Sequence, residues 1–366
     1  MESEFRVVRV EPLTRFCQEV FEKMGVPPKD AYTTSEVLVL ADLRGVDSHG
    51  VARLRRYFNG LKSGMMFPRP EMKVVHETPL SALLDGGGAL GQVAGKKGMD
   101  LAIEKALKSG FGFVAVRNSN HYGIAGYYSL TALKHDLIGI ALTNSDAYVV
   151  PTFGRTVMLG TNPISVAVPA MEERPYVLDM STAVATLGKL EVYARMGKKV
   201  PHGWALDETG RSCDDPARVL SNIKSKMGGG LLPLGGASEE FGGHKGYGLD
   251  LLVDIFSGVL SGSANTNLLY PKTADGKTLP SLVGHFFGAM RVDFFRPVEA
   301  FKRDMDDMIR RLRNSPKAEG CDRIYIHGEK EFELEAKYRK EGVPLFFKVY
   351  DDLKAIGNEI GVPFNL

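Results

Sequence analysis

Apolar positions Leu13, Phe16, Val20, Phe21 and Met24 recur at helical spacing, and Gly25 with Pro27 and Pro28 ends that run. A second helix is expected over 30–43 and a third from about 48 to 64, so the start of the chain reads as all-helical. After "MMFPRP" the pattern changes. Strand-like runs at 81–84, 113–116, 138–143, 165–168 and 176–178 alternate with helical segments such as 96–107, as in an α/β or α+β block reaching about residue 294. The tail returns to helical spacing, with Val298, Phe301, Met305, Met308, Ile309 and Leu312 on one face, then Val349, Leu353, Ile356 and Ile360 on another. Helical ends around a mixed centre predict a discontinuous helical domain, 1–72 with 295–366, clasping a mixed-sheet domain over 73–294. Stretches 261–280 and 313–322 read as long surface loops.

The chain has 366 residues, 44% hydrophobic and 25% charged, enough to bury a large core. No apolar run approaches the roughly 18 residues of a membrane span, and "MESEFRVVRVEPL" lacks the basic-then-apolar layout of a signal peptide, so a cytoplasmic protein without membrane association is expected. Cys17, Cys213 and Cys321 stand far apart, which supports neither a disulfide framework nor a cysteine zinc site. The net charge of +2 is spread along the chain without a nucleic-acid-binding signature. The histidines form no metal-binding spacing, and His76, His135, His202 and His285 are read as structural. Small-molecule chemistry is what remains.

"LLDGGGALGQVAG" holds Gly86, Gly88 and Gly91 in G-x-G-x-x-G register between a strand and a helix, the context of a dinucleotide-binding fingerprint. That fingerprint needs a carboxylate about 20 residues on, at the end of the next strand. Here the strand ends "FVAVRNSNH", which offers Arg117 and no acid. The glycines are therefore read as a turn that lets backbone approach backbone.

Four other stretches carry chemistry. In "DLRGVDSHGVARLRRYFNG", a helix capped by Ser48 would place His49, Arg53 and Tyr57 within about 80° of one another, opposite Val51, Leu54, Phe58 and Leu61. A proton carrier, a planar carboxylate fork and a hydroxyl donor on one face suit a 2-hydroxy acid; a solvated helix face is the plainer alternative. In "RNSNHYGIAGYYSL", His121 would sit in or beside a helix's first turn, where the dipole keeps imidazole neutral and basic, unless the segment is only a turn and cap. In "YVLDMSTAVATLGKL", Asp179 ends a strand beside Ser181 and Thr182, placed for ribose hydroxyls or as an N-cap. Lys245, among Gly242, Gly243 and Gly246 before an apolar helix, opposes the dipole, which suggests a shared anion such as a pyrophosphate or a solvated turn lysine.

Across these motifs, together with "TNS" (143–145), "LGTNPI" (159–164) and "IHGEKE" (326–331), the chain resembles the malate/L-lactate dehydrogenase family distinct from the Rossmann-type enzymes. Relatives of that family include L-sulfolactate, ureidoglycolate and 2,3-diketogulonate oxidoreductases. The resemblance covers nearly the whole chain and implies a non-Rossmann nicotinamide-binding fold, a mixed-sheet cofactor domain joined to a helical domain from both chain ends, and a homodimer whose sites use both subunits. By position it carries over Ser48 and the acid/base candidate His49, Arg53 as carboxylate clamp, and His121 as the proton acceptor described in some relatives. Cofactor contacts fall on Ser145, Asp179, Met180, Ser181, Lys245, Gly328 and Glu329.

The expectation is a reversible hydride transfer between a small 2-hydroxy acid, malate first, and NAD or NADP. Arg53 holds the C1 carboxylate, and either His121 or His49 carries the proton. Tyr57 contributes a substrate hydroxyl contact, and Arg155 is the candidate cation for a distal carboxylate. No metal is implied. A relative acting on lactate, sulfolactate, ureidoglycolate, diketogulonate or a cyclic imine is the alternative within the enzyme class. A silent ligand-binding scaffold is the alternative outside it.

Overall fold

The computed structural model describes residues 4–366. In chain order, β1 (Phe5–Val8), α1 (Val10–Lys23), α2 (Pro28–Leu43), two 3₁₀ turns (Asp47–His49 and Val51–Arg53) and α3 (Leu54–Lys62) come first. β2 (Lys73–Glu77), β3 (Ser81–Asp85), α4 (Gly91–Ser109), β4 (Phe111–Ser119), α5 (Gly126–Ala132), β5 (Leu137–Thr143), β6 (Ile164–Val168) and β7 (Tyr176–Met180) follow. A lobe of α6 (Leu187–Arg195), β8 (Ala205–Leu206), α7 (Pro216–Ser225) and β9 (Gly230–Leu231) leads to α8 (Gly243–Asp254), which runs on as a π-helical turn, Ile255–Val259. The chain then closes with β10 (Val283–Arg291), α9 (Val298–Arg313), α10 (Glu329–Glu341), β11 (Val343–Phe346) and α11 (Phe347–Ile360).

The main sheet has seven strands in the order β2-β3-β4-β10-β5-β6-β7, a mixed α/β arrangement in which β3–β4 is the parallel pair and every other neighbour is antiparallel. Helix α4 makes the crossover between β3 and β4, so the G-x-G-x-x-G stretch does lie in a βαβ turn. One such unit does not make a doubly wound sheet. The glycines serve close packing instead: a Cβ on Gly91 would collide with the carbonyls of Asn120 and His121, and one on Gly86 would crowd those of Arg117 and Asn118. The α4 N-terminus is thus closed by the segment that carries His121. Arg117 is engaged as well, its Nε donating to Asp85 at 2.9 Å.

The five expected strands correspond to β3, β4, β5, β6 and β7, whereas the pattern does not single out β10 at the sheet's centre. Seven consecutive residues of β10 are buried, so it shows no alternation, and Gly284, His285 and Gly288 interrupt its apolar run. Gly284 is required there because a side chain would strike the Ser257 carbonyl of the π-helical turn.

The two ends of the chain meet. β1 pairs antiparallel with β11, and a shared core gathers Leu13, Phe16, Val20 and Phe21 of α1, Leu54 and Phe58 of α3, and Leu353 and Ile356 of α11. Helix α9 departs from the expected apolar docking, since Met308 and Leu312 are exposed and Ile309 is buried. Asp306 docks it instead, accepting N–H groups from Met171, Glu172 and Glu173, while Arg310 and Arg313 pair with Glu173. Among the described residues, no helix is long and apolar enough to cross a membrane.

Candidate functional site

A cavity of about 510 Å³ opens where the ends of β5 and β7, the segment before α5, the turn after α2 and the loop before α10 converge. Its walls include Ser48, His49, His121, Tyr122 and Tyr270 as well as Asn144, Ser145, Thr161, Asp179, Met180, Ser181, Gly328, Lys330 and Glu331.

The expected continuous helix from Ser48 is broken. Gly50 is extended (φ −81°, ψ −153°), and Asp42 accepts the Val51 N–H at 2.8 Å, so two 3₁₀ turns precede α3 and Ser48 caps nothing. A Cβ at Gly50 would overlap the Asp42 carboxylate. The break changes the phase of the motif: Tyr57, expected beside His49 and Arg53 on a polar face, is fully buried in the core. Its hydroxyl nevertheless reaches the chemistry from behind, 2.6 Å from Nδ1 of His121.

His121 lies in the loop between β4 and α5 and not in a helix's first turn, so the helix dipole does not account for its basicity. Enclosure by protein holds its pKa well below the ordinary 6.5, and the charges of Arg56, His49 and Arg53 lower it further. The same causes, burial first and then Arg53 and Arg56, bring His49 down to about 4. The two rings stack with centroids 5.4 Å apart and planes 27° apart. Each has its Nδ1 beside a hydroxyl, Ser48 Oγ at 2.9 Å for His49 and Tyr57 for His121, which leaves each Nε2 for a reacting proton. Tyr57 keeps its own proton, since burial raises the phenol to about 12.

Arg53 is not itself in the cavity wall; it turns back on its own loop, donating from Nε to the wall residue Ser48, whose carbonyl it reaches at 2.6 Å, and no carboxylate among the described residues forms an ion pair with it. Two further residues of this end escaped the sequence reading. Arg56 follows Arg53 by one turn and donates to the Tyr270 hydroxyl at 2.9 Å. Tyr270 comes from the stretch read as a surface loop, yet it lines the cavity, and its neighbour Leu269 is buried. The signal for Arg56 lay in the "RLRRY" run. A wheel drawn through an unbroken helix hid it.

At the other end, Asp179 closes β7 as expected, with Oδ2 accepting the Gly126 N–H at 2.7 Å. Its carboxyl opens into the cavity while protein surrounds it, and this enclosure raises its pKa to about 6 despite the Gly126 N–H and the charge of Arg44. Ser145 is held by the loop after β5, its N–H donating to Asn162 at 3.0 Å, and Ser181 Oγ donates to the Thr161 carbonyl at 3.0 Å. Met180 and Gly328 are also in the wall. Gly328 takes φ 94° where a side chain would crowd Val177, whose N–H donates to the His327 carbonyl at 3.0 Å.

Besides Arg53 and Tyr57, three expected site residues stand outside the cavity wall. Glu329 is buried outside the wall; burial alone would raise its carboxyl, but the Ile326 N–H and the guanidinia of Arg313 and Arg323 hold it low, so its work is to join the loop to α9. Lys245 is exposed in the first turn of α8 and does not line the cavity, and Gly243 and Gly246 press that turn against the backbone of Gly236 and Leu234. Arg155 sits on the β8–β9 lobe, reaching the Glu208 carbonyl at 3.5 Å, and does not line the cavity.

The cavity suits a nicotinamide dinucleotide. The Tyr122 hydroxyl is sealed from solvent without a protein partner although Tyr122 lines the wall, and its ring is fixed by stacking on His285 at 4.6 Å. Asp179 supplies acceptors for a ribose diol, and Ser145 and Thr161 add hydroxyl groups to the same wall, while the Asn144 amide is committed to Asp254, Ala264 and Gly284. Among the described residues no group of three or more His, Cys, Asp or Glu is placed to hold a metal ion.

Comparison with known proteins agrees with this chemistry. Residues 8–354 match the family described as malate/L-lactate dehydrogenase. A malate dehydrogenase of Pyrococcus abyssi is 47% identical over 96% of this chain and 94% of its own length. An L-sulfolactate dehydrogenase of Methanocaldococcus jannaschii is 40% identical over 97% of this chain and 98% of its own. The crystal structure of malate dehydrogenase from Entamoeba histolytica superposes with a TM-score of 0.93 at 38% identity, covering 99% of this chain and all of that one. The protein is a malate dehydrogenase-like oxidoreductase, and the chain belongs to the malate/L-lactate dehydrogenase family.

Proposed function

We propose that the protein interconverts malate and oxaloacetate with a nicotinamide cofactor. The observation that carries this reading is a pair of stacked neutral imidazoles beside two guanidinia without carboxylate partners, in a cavity whose wall also presents Asp179. The cofactor, when bound, accepts or supplies the hydride at its nicotinamide ring. The chain's residues hold the acid and move the proton.

Arg53 is the clamp for the C1 carboxylate, and His121 is the proton carrier. The Tyr57 hydroxyl behind His121 accepts from its Nδ1–H, which leaves Nε2 bare to take the proton of the 2-hydroxyl. In the reverse direction Nε2–H donates to the 2-oxo oxygen. His49 stacks against this ring and orients the substrate oxygen. Substrate negative charge offsets the arginines, so an imidazolium is better tolerated in the loaded site than in the free one.

A homodimer is part of the same reading. Leu249, Leu252, Ile255 and Val259 form an exposed apolar stripe along α8 and its π-helical extension, next to Lys245. In such a dimer Lys245 would serve a site shared between copies. A cytoplasmic enzyme built as a helical domain (1–72 with 295–366) around a cofactor domain (73–294) completes the proposal. Either NAD or NADP fits it, because the Lys330 cation and the Asp179 and Glu331 carboxylates all line the cavity.

The test is the loss of reduced-nicotinamide absorbance with pure protein, NADH or NADPH, and oxaloacetate. Rapid oxidation is expected, with one cofactor preferred. Cofactor binding without turnover of any 2-oxo acid would replace this reading with the silent scaffold.

A further inference from the structure

Arg55 and Arg56 are neighbours on α3 with opposite fates. Arg55 is turned to α11, where Asp352 at 2.7 Å and Glu359 at 3.1 Å neutralise it. Arg56 is turned inward and largely enclosed, and its hydrogen bond is to a neutral phenol, Tyr270. Tyr57 and Tyr148 are its other charge-sensitive neighbours. Asp146, an acid whose charge acts on Tyr270 and Tyr148, is engaged by the Tyr148 hydroxyl at 3.0 Å and by the Ala147 N–H at 2.9 Å, and it forms no ion pair with Arg56.

An enclosed guanidinium without a counter-charge is unfavourable, and proteins retain one where an anion from outside completes it. Arg56 lies close enough to His49 and His121 for its charge to weigh on both rings, and its phenol partner Tyr270 is part of the cavity wall. Arg53, three residues earlier and also without a carboxylate partner, accounts for one anionic group. A second unpaired cation, three residues on in the first turn of α3, calls for a second one.

We propose that Arg56, held by Tyr270, receives an anionic group at the far end of the substrate, so that the site selects 2-hydroxy acids carrying a second anion over those ending in a methyl group. The inference rests on the malate reading and assigns the role first given to Arg155, which stands on another lobe. A carboxylate and a sulfonate share the required chemistry, since each presents paired oxygens to a guanidinium fork.

The experiment compares kcat/KM for oxaloacetate, sulfopyruvate and pyruvate in the wild type, Arg56→Gln, Arg56→Lys and Tyr270→Phe. The wild type is expected to favour at least one of the two dianions over pyruvate by about 100-fold, a typical advantage of a charge-assisted pair. Whichever dianion leads identifies the distal group. Arg56→Gln should cut the ratio of that dianion to pyruvate at least tenfold, chiefly through KM, and Arg56→Lys should restore part of it. Tyr270→Phe should move the ratio in the same direction by a few-fold, and it decides the matter if Arg56→Gln does not fold. An unchanged ratio in a variant that still binds reduced cofactor overturns the assignment. No turnover of any of the three acids by the wild type overturns the malate reading beneath it.

Discussion

Two enclosed arginines near one cavity, Arg44 in its wall and Arg56 behind the wall residue Tyr270, are treated in opposite ways. Arg44, with 4% of its side chain exposed, bonds to Glu335 at 3.0 Å and lies over the Phe332 ring at 4.5 Å. Its charge is satisfied within the fold, and it steadies α10 and the wall near Asp179. Arg56 meets only hydroxyl oxygen. The same side chain is a structural tie where the fold supplies its anion and a binding group where it does not, so pairing separates the two roles better than residue type or burial. The whole cavity follows that division. Glu329, Arg313 and Arg323 neutralise one another outside the far wall, while Arg53, Arg56, His49 and His121 crowd positive or proton-accepting groups together at the near end.

The most severe way to break the near end is to remove the proposed proton carrier. His121→Ala should lower kcat by roughly 10²–10⁴ while cofactor affinity, read by fluorescence titration, holds. The pH profile sharpens the point. Malate oxidation needs a neutral imidazole, and enclosure with two neighbouring arginines keeps both histidines below the ordinary 6.5, His49 at about 4. Malate kcat/KM should therefore stay level as pH falls through 6.5 and decline only in more acidic solution. Oxaloacetate reduction starts from the protonated ring, so its kcat/KM should fall about tenfold per pH unit across neutrality. An acid limb at 6.5 for malate would show that the cations do not act on the imidazoles, and full activity in His121→Ala would pass the proton to His49.

How far the sequence carried this picture depends on where each residue's signal resides. Asp179, Ser181 and Ser145 were legible because a strand end or a turn places them whatever surrounds it. His49 and Arg53 were legible as types but not in phase, because the break at Gly50 depends on Asp42, a residue from the previous helix. Arg56 and Tyr270 are 214 positions apart in the chain, and their pairing has no local trace. The β10 strand was hidden for a related reason: a central strand covered on both faces loses the alternation by which strands are read. Long-range neighbours decide such cases, and periodicity reports only on local ones.

A milder change tests whether pairing is what separates the two arginines. Glu335→Ala strips Arg44 of its carboxylate and leaves an enclosed charge, which should cost roughly 1–3 kcal/mol and lower the midpoint of thermal unfolding. The KM for malate should not move, because the affected cation lies at the far end. A raised malate KM with an unchanged midpoint would mean that Arg44 takes part in substrate binding and that the contrast with Arg56 is mistaken.

The smallest expected effect comes from Tyr57→Phe, which keeps the buried ring and deletes one oxygen. Tyr57 packs with Leu54 and Phe58 in the core, so the variant should fold with little change in thermal midpoint. What it loses is the acceptor 2.6 Å from Nδ1 of His121. With the phenol as the acceptor, as proposed, that bond favours the neutral tautomer with Nε2 bare, and in the imidazolium it satisfies the Nδ1–H. Loss of one such bond, net about 1 kcal/mol, corresponds to about a five- to tenfold lower kcat. A purely structural role for the phenol would alter malate and cofactor KM together and leave the pH profile in place. A role through His121 predicts a lower kcat at nearly constant KM, with the imidazole's titration displaced further to acid, because the charged ring has lost a partner that stabilised it. If kcat and the profile both match the wild type, Nδ1 does not depend on the phenol, and the division between a reacting nitrogen and a held nitrogen does not apply to His121.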